Sequence, residues 1–250
     1  MIEATHKTSI DPQEVEQFSR IADEWWDKNG KFKPLHRINP LRISYIKQQI
    51  EQHFAKPMSD LTLIDIGCGG GLISEPMAEL GLNVTGLDAS EKNIKVAALH
   101  AEKSGLAIDY IVGSAEALAF PNPESRIPNP TFDIVLALEI IEHVADLDVF
   151  YDALAALVKP NGLLILSTIN RTTKSYAMAI IGAEYVMRWL PKGTHDWAKF
   201  VKPSEMARAL TTRGMQIHET IGMNFNPLEW KFTMNNKDLS VNYLMVATKA

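Results

Sequence analysis

Apolar and polar residues follow two different periods along this chain. In DPQEVEQFSRIADEWWD (11–27), Val15, Phe18, Ile21, Ala22, Trp25 and Trp26 recur at helical spacing. Asp11 is placed to cap that helix, and Pro12 suits its first position, where the missing amide costs nothing. NGKFKPLHRINPLR then breaks the pattern with Gly30, Pro34 and Pro40. From residue 61 short apolar runs alternate with helical stretches. LTLIDI, NVTGLD, IDYIVG, FDIVLAL and GLLILSTI read as strands; ISEPMAEL, SEKNIKVAALHAEKSG and DLDVFYDALAALVKP read as helices. Two later runs, MQIHETI and VNYLMVATK, are expected to add edge strands, with antiparallel pairing open to them. This alternation predicts an α/β fold, a mostly parallel sheet with helices on both faces. FPNPESRIPNP (120–130) reads as a proline-rich surface connection, and the chain has no internal repeat.

Composition sets limits. The 250 residues are 46% hydrophobic, enough for one domain with a full core. A net charge of −5 carries no nucleic-acid footprint. The sign is uneven, however. Residues 28–50 hold six Lys/Arg and no Asp/Glu, and residues 170–214 hold eight against three. Such segments are either solvated faces or surfaces that meet an anionic partner. One cysteine, Cys68, excludes a disulfide framework and a cysteine zinc site. The polar start MIEATHKTSIDPQE does not read as a signal peptide, and no apolar run is long enough to predict a spanning helix. A cytoplasmic location is expected.

The chemistry concentrates in LTLIDIGCGGGL (61–72). Gly67, Gly69, Gly70 and Gly71 stand between a strand and a helix. Bare backbone there lets a ligand approach the amides at the positive end of the helix. The dinucleotide fingerprint G-x-G-x-x-G does not fit, because Leu72 stands where its third glycine would be. Counting Asp65, the pattern is D-x-G-x-G-x-G. Asp88 ends the next strand and is placed to accept hydrogen bonds from ribose hydroxyls. A nucleotide-like ligand is expected. A tight turn without a ligand and a nicotinamide dehydrogenase are the competing readings.

This motif, the acid at the second strand end, FDIVLALEIIEHV and LVKPNGLLILST together resemble the class I S-adenosylmethionine-dependent methyltransferases. Stretches outside that core are more particular. WWDKNGKFKPLHRINPLR, LDASEKNIKVAALHA, STINRTTKSYAMAIIGAEYVMRWLPKGTHDW, KFVKPSEM and NPLEW…VNYLMVATK resemble the ubiquinone-biosynthesis O-methyltransferase family, from about residue 14 to the end. The resemblance implies a Rossmann-like domain over 1–250. It would have a helical cap (1–50), a cofactor-binding core (58–170), a helical lid or membrane-surface insertion after the fifth strand (171–214) and C-terminal strands (215–250), on a seven-stranded sheet. It implies O-methylation of polyprenylated catechol-type phenols and quinols at both such steps, with S-adenosylmethionine held by Arg42, Gly67, Asp88 and Leu138. Arg42 would meet the methionine carboxylate, to which a planar cation is suited. From the residues alone Arg42 is equally a surface charge, and Leu138 is core.

Two devices could raise the nucleophilicity of a phenol. Glu139, Glu142 and His143, in EIIEH, would share one face if helical and could hold Mg²⁺; acids favouring a helix dipole are the competing reading. His195, beside Asp196 in KGTHDW, is a candidate general base. SYAMAIIGAEYVMRWL (175–190) is apolar nearly all round with basic flanks, too short to span a bilayer. It suits a helix on an anionic membrane surface, a cover over the site, or both. The N-terminal helix and FKPLHRINPLR are expected to cover the cofactor's open side, with Trp25 and Trp26 as packing residues. A noncatalytic cofactor-binding module of a quinone-synthesis complex and a methyltransferase for another small phenol are the alternative functions.

Overall fold

The computed structural model describes residues 8–120, 130–178, 196–226 and 231–250. Its strands are β1 (Thr62–Ile66), β2 (Asn83–Asp88), β3 (Asp109–Val112), β4 (Phe132–Leu138), β5 (Val158–Ile169), β6 (Met215–Asn226), β7 (Lys231–Asn235) and β8 (Asn242–Lys249). They form one sheet in the order β3-β2-β1-β4-β5-β8-β6-β7. The first five pair in parallel, and β8 lies antiparallel between β5 and β6.

Among the described residues the sheet has eight strands where seven were expected. The extra one is β7, KFTMN, which pairs only with β6 at the sheet's edge. Its five residues are exposed or half-buried, so the sequence shows no strong apolar run there.

The helices are α1 (Pro12–Arg20), α2 (Lys33–His53), α3 (Ser74–Glu79), α4 (Glu91–Ser104), α5 (Ala115–Ala119), α6 (Leu147–Leu157), α7 (Thr173–Ser175) and α8 (Pro203–Thr211). The two-residue period of the central strands divides the core between the sheet's faces. Ile64, Ile66, Val135, Ala137, Leu164 and Leu166 pack with residues of α5, α6 and α8. Leu63, Ile134, Leu136, Leu163 and Ile165 pack on the other face with residues of α2 and α3. Both faces are covered, which is why these strands read as continuous apolar runs.

The N-terminal segment departs from its sequence pattern in two places. Asp11 caps α1, with its side chain accepting from the Gln13 amide at 3.0 Å, and Pro12 is at its start. But α1 ends at Arg20, and a 3-10 turn, Ala22–Glu24, re-aims Trp25 and Trp26. The prolines, in turn, do not break the chain. Pro34 sits in the first turn of α2, and Pro40 lies inside the same helix. Burial of Ile38, Tyr45, Ile46 and Ile50 along one side outweighs the missing hydrogen bond. Among the described residues no helix is long and apolar enough to cross a membrane.

Candidate active site

Parallel strands send their carboxyl ends to one edge of the sheet, and the glycine loop follows the central one, β1. The amides of Gly67 and Cys68 both donate to the Leu87 carbonyl, at 2.7 and 3.0 Å, which turns the loop back over β2. Gly67 and Gly69 have positive φ, 73° and 54°, which a side chain would strain.

Bareness of the loop serves the protein's own packing as well as a ligand. A Cβ on Gly69 or Gly70 would meet the Trp25 side chain at 2.4 Å. Trp25 stacks on Phe32 with ring centroids 3.6 Å apart, and its Nε1 donates to Asn93 Oδ1 at 2.9 Å. Trp26 donates to the Gly70 carbonyl at 2.9 Å and stacks on His100. Both tryptophans are thus packing residues, and Trp25 also lines the cavity above the loop.

That cavity, of about 320 Å³, holds the chemistry. Asp88 ends β2 at its wall. Oδ2 accepts from the Gly69 amide at 2.9 Å; Oδ1 accepts from the Ser90 amide at 2.8 Å and Asn93 Nδ2 at 3.1 Å. Burial pushes its pKa up, against those three donors. A carboxylate offers about four acceptor directions, so Asp88 keeps room for a further donor. Asp65, beneath the loop, accepts from Ser74 Oγ at 2.7 Å and is pushed up to about 6, chiefly by burial.

Arg42 enters from α2, and its side chain is buried. Nη2 pairs with Glu139 Oε1 at 2.7 Å, and Nη1 donates to Asn39 Oδ1 at 3.1 Å. Its Nε is buried with no partner, although Arg42 lines the cavity. An orphaned guanidinium donor is costly unless a ligand satisfies it. Leu138, the last residue of β4, is half-buried and lines the same cavity, as does Gly67. All four residues expected at S-adenosylmethionine therefore face one space.

The EIIEH segment does not form the helical face that its spacing suggested. Glu139 has φ 54°, and only Ile141–His143 make a 3-10 turn. The three side chains line the cavity, but each has protein partners. Glu139 accepts from Ser167 Oγ at 2.7 Å and Asn242 Nδ2 at 3.2 Å besides its ion pair with Arg42. Glu142 accepts from Thr168 Oγ1 at 2.7 Å, and burial together with Glu139 raises its pKa. His143 Nδ1 lies 3.0 Å from Glu14 Oε2. Burial alone would lower the His143 pKa, but Glu14 and the neighbouring glutamates raise it overall. Among the described residues no group of three or more His, Cys, Asp or Glu is placed to hold a metal ion. As placed, Glu139 is paired with Arg42, and His143 Nδ1 with Glu14.

His195 lies outside the described residues. Its neighbour Asp196 caps the turn Trp197–Lys199, with Oδ1 accepting from the Ala198 amide at 2.9 Å. That turn returns Lys199 to the site's rim, where it binds Glu14 at 2.9 Å and Asp11 at 3.1 Å. Sequence reasoning missed Glu14, Lys199, Asn39 and Asn93. Asn93 alone had a local signal, standing in the first turn of α4 beside its cap Ser90.

Residues 64–166, the stretch from β1 to β5 that builds the cavity floor, match the family model described as a methyltransferase domain. The fold is shared with magnesium protoporphyrin IX methyltransferase from Synechocystis, solved with bound S-adenosylhomocysteine (TM-score 0.58, 19% identity, 84% of this chain and 82% of that one). It is also shared with a Thermotoga maritima S-adenosylmethionine-dependent methyltransferase (TM-score 0.61, 16% identity, 95% and 100%). The chain thus has the fold of the class I S-adenosylmethionine-dependent methyltransferases. Full-length relatives narrow this. Proteins named ubiquinone biosynthesis O-methyltransferase are 51% identical in Cereibacter sphaeroides, over 97% of this chain and 98% of the relative, and 50% identical in Ruegeria pomeroyi, over 98% of each. The chain belongs to the ubiquinone biosynthesis O-methyltransferase family.

Proposed function

We propose that this enzyme methylates a phenolic hydroxyl of polyprenylated catechol-type intermediates of ubiquinone synthesis, and serves both O-methylation steps. The observation that carries the reading is the cavity itself. It is lined by polar Arg42 and Asp88 together with many apolar side chains, Phe225 and Phe232 among them. Full-length similarity to enzymes bearing that family name supplies the substrate class.

When bound, S-adenosylmethionine supplies an electrophilic methyl group for in-line displacement by an oxygen nucleophile. Arg42 would hold its methionine carboxylate, Asp88 its ribose, Gly67 would let it lie against the backbone, and Leu138 would pack beside it. These contacts fix direction, the main demand of a displacement. The phenol must also lose its proton. Glu142 and His143 line the cavity within reach of that task, and His195 is the candidate named by the sequence.

Residues 175–190, with basic flanks, would meet the membrane that holds a long-tailed substrate. Exposed Tyr176, within that stretch, and Trp197, after it, would serve as amphipathic anchors. Sedimentation with anionic liposomes at low salt tests this, and absence of binding would refute it. The test of function is methyl transfer from S-adenosylmethionine to a short-tailed prenyl catechol, read by mass spectrometry with and without EDTA. Transfer in either tube supports the reading. Loss in EDTA, restored by Mg²⁺, assigns Glu139, Glu142 and His143 to a metal. No transfer, with the cofactor bound, favours another phenol or the noncatalytic module.

A further inference from the structure

The cavity's apolar end is built by a hairpin that outruns the sheet. β6 pairs with β8 only as far as Met223, opposite Asn242. It continues to Asn226 against β7 alone. Both β5 and β6 lie antiparallel to β8, so β6 runs parallel to β5. The overhang therefore stands beyond the carboxyl edge, on the side of the glycine loop and Glu139.

On this overhang Phe225 and Phe232 stand directly opposite each other across the strands. Their ring centroids are 5.0 Å apart, and both rings line the cavity. The pair lies outside the ladder with β8 and joins β6 to β7. Side-chain alternation puts Phe225 on the face of Met223, and Phe232 on that of Met234, which pack under α2 near Ile38. The rings extend that apolar face over the site. Ile169, Val241 and Met178 add further apolar lining to the cavity.

We infer that the Phe225–Phe232 pair is the subsite for the first isoprene units of the acceptor's tail, and the element that separates a prenylated phenol from a bare one. This rests on the substrate class proposed above. An isoprene unit offers only methyl groups and an alkene, which aromatic faces and methionine match by dispersion. A catechol without a tail has nothing to place there.

The test is calorimetric binding of a farnesyl catechol and of plain catechol, with S-adenosylhomocysteine present so that no turnover occurs. Wild type is expected to bind the farnesyl compound at least tenfold more tightly. Phe225→Ala and Phe232→Ala should each cut that advantage about tenfold, the loss expected from removing one buried aromatic contact, with plain catechol unchanged. Phe225→Trp, which keeps an apolar ring for folding but fills the space, should cut it too. An advantage retained in all three variants, or absent in wild type, overturns the inference. So does equal weakening of both ligands. Methyl transfer by wild type in parallel separates the two claims. Transfer without tail preference removes the subsite and leaves the function; tail preference without transfer does the reverse.

Discussion

Arg42 is asked to do two things, and a pair of substitutions separates them. It neutralises Glu139 across 2.7 Å, with side chains only 3% and 19% exposed, and it lines the cavity with its Nε buried and unpartnered. Arg42→Met removes the cation and leaves Glu139 with Ser167 and Asn242 as its hydrogen-bond donors. Breaking a buried pair from one side costs about 3–5 kcal/mol. Glu139 retains some solvent and two donors, so about 3 kcal/mol is expected, a fall in Tm of about 6–12 °C at this size. Glu139→Gln leaves the cation without its anion and should cost a similar amount. Both changes together orphan neither charge, so the double variant should lose at least about 2 kcal/mol less than the sum of the singles.

Cofactor response then divides the singles. A ligand that binds only the folded state stabilises it by RT ln(1 + [L]/Kd), about 4 kcal/mol at a thousandfold excess over Kd. If Arg42 holds the methionine carboxylate, Arg42→Met should weaken S-adenosylhomocysteine about a hundredfold, removing about 2.7 kcal/mol of that protection. Glu139→Gln should keep or gain it, because the guanidinium is released from a competing carboxylate. Thermal melts across a ligand titration read both numbers. Full protection in Arg42→Met, or equal loss in Glu139→Gln, would refute the assignment.

Two further outcomes follow from the glycine loop. Gly69→Ala combines a φ of 54° with a Cβ 2.4 Å from the Trp25 ring, so it should lose about 2–4 kcal/mol in urea unfolding. Gly81→Ala, at φ 96° with nothing within 4 Å, should lose only about 1–2 kcal/mol; equal losses would show that Trp25 is not the obstacle. Asp65 has its pKa raised to about 6, so the folded state holds a proton that the unfolded chain releases near pH 4, and stability falls as pH rises between those values. Asp65→Asn lacks that slope and should gain up to about 3 kcal/mol on wild type between pH 4 and pH 7, and an unchanged difference would refute the assignment.

The central strands β1, β4 and β5 were legible because they are buried on both faces and read as nearly continuous apolar runs. The start of α1 was legible because Asp11 and Pro12 act locally. The rest failed where distant contacts override local signals. Pro40 marks a break in sequence, but α2 passes through it because Ile38, Tyr45 and Ile46 bury one side. EIIEH suggested a helical face, but Glu139 adopts a positive φ that glutamate rarely takes, and no neighbouring residue announces it. Glu14 meets His143 across 129 positions, a pairing with no sequence signature. The glycines were read as making room for a ligand; half of that room is taken by Trp25, whose distance from the loop in sequence concealed it.

The cavity is not built by the family core alone. The family match covers residues 64–166, which supply the sheet, the glycine loop, Asp88 and the EIIEH turn. Arg42, Trp25, Glu14, Lys199, Phe225 and Phe232 all lie outside it, yet all line the cavity or brace residues that do. The N-terminal segment is tied down at separate points: Ala145 donates to the Ser9 carbonyl, Trp25 holds Asn93, and Lys199 joins Asp11 to Glu14. Solved relatives at 16–19% identity share the core architecture. A core common to enzymes with unlike acceptors can position the methyl donor, but it cannot by itself choose the acceptor. On the function proposed above, that choice falls to the segments that close the cavity: the cap, the turn at 197–199 and the overhanging strands β6 and β7.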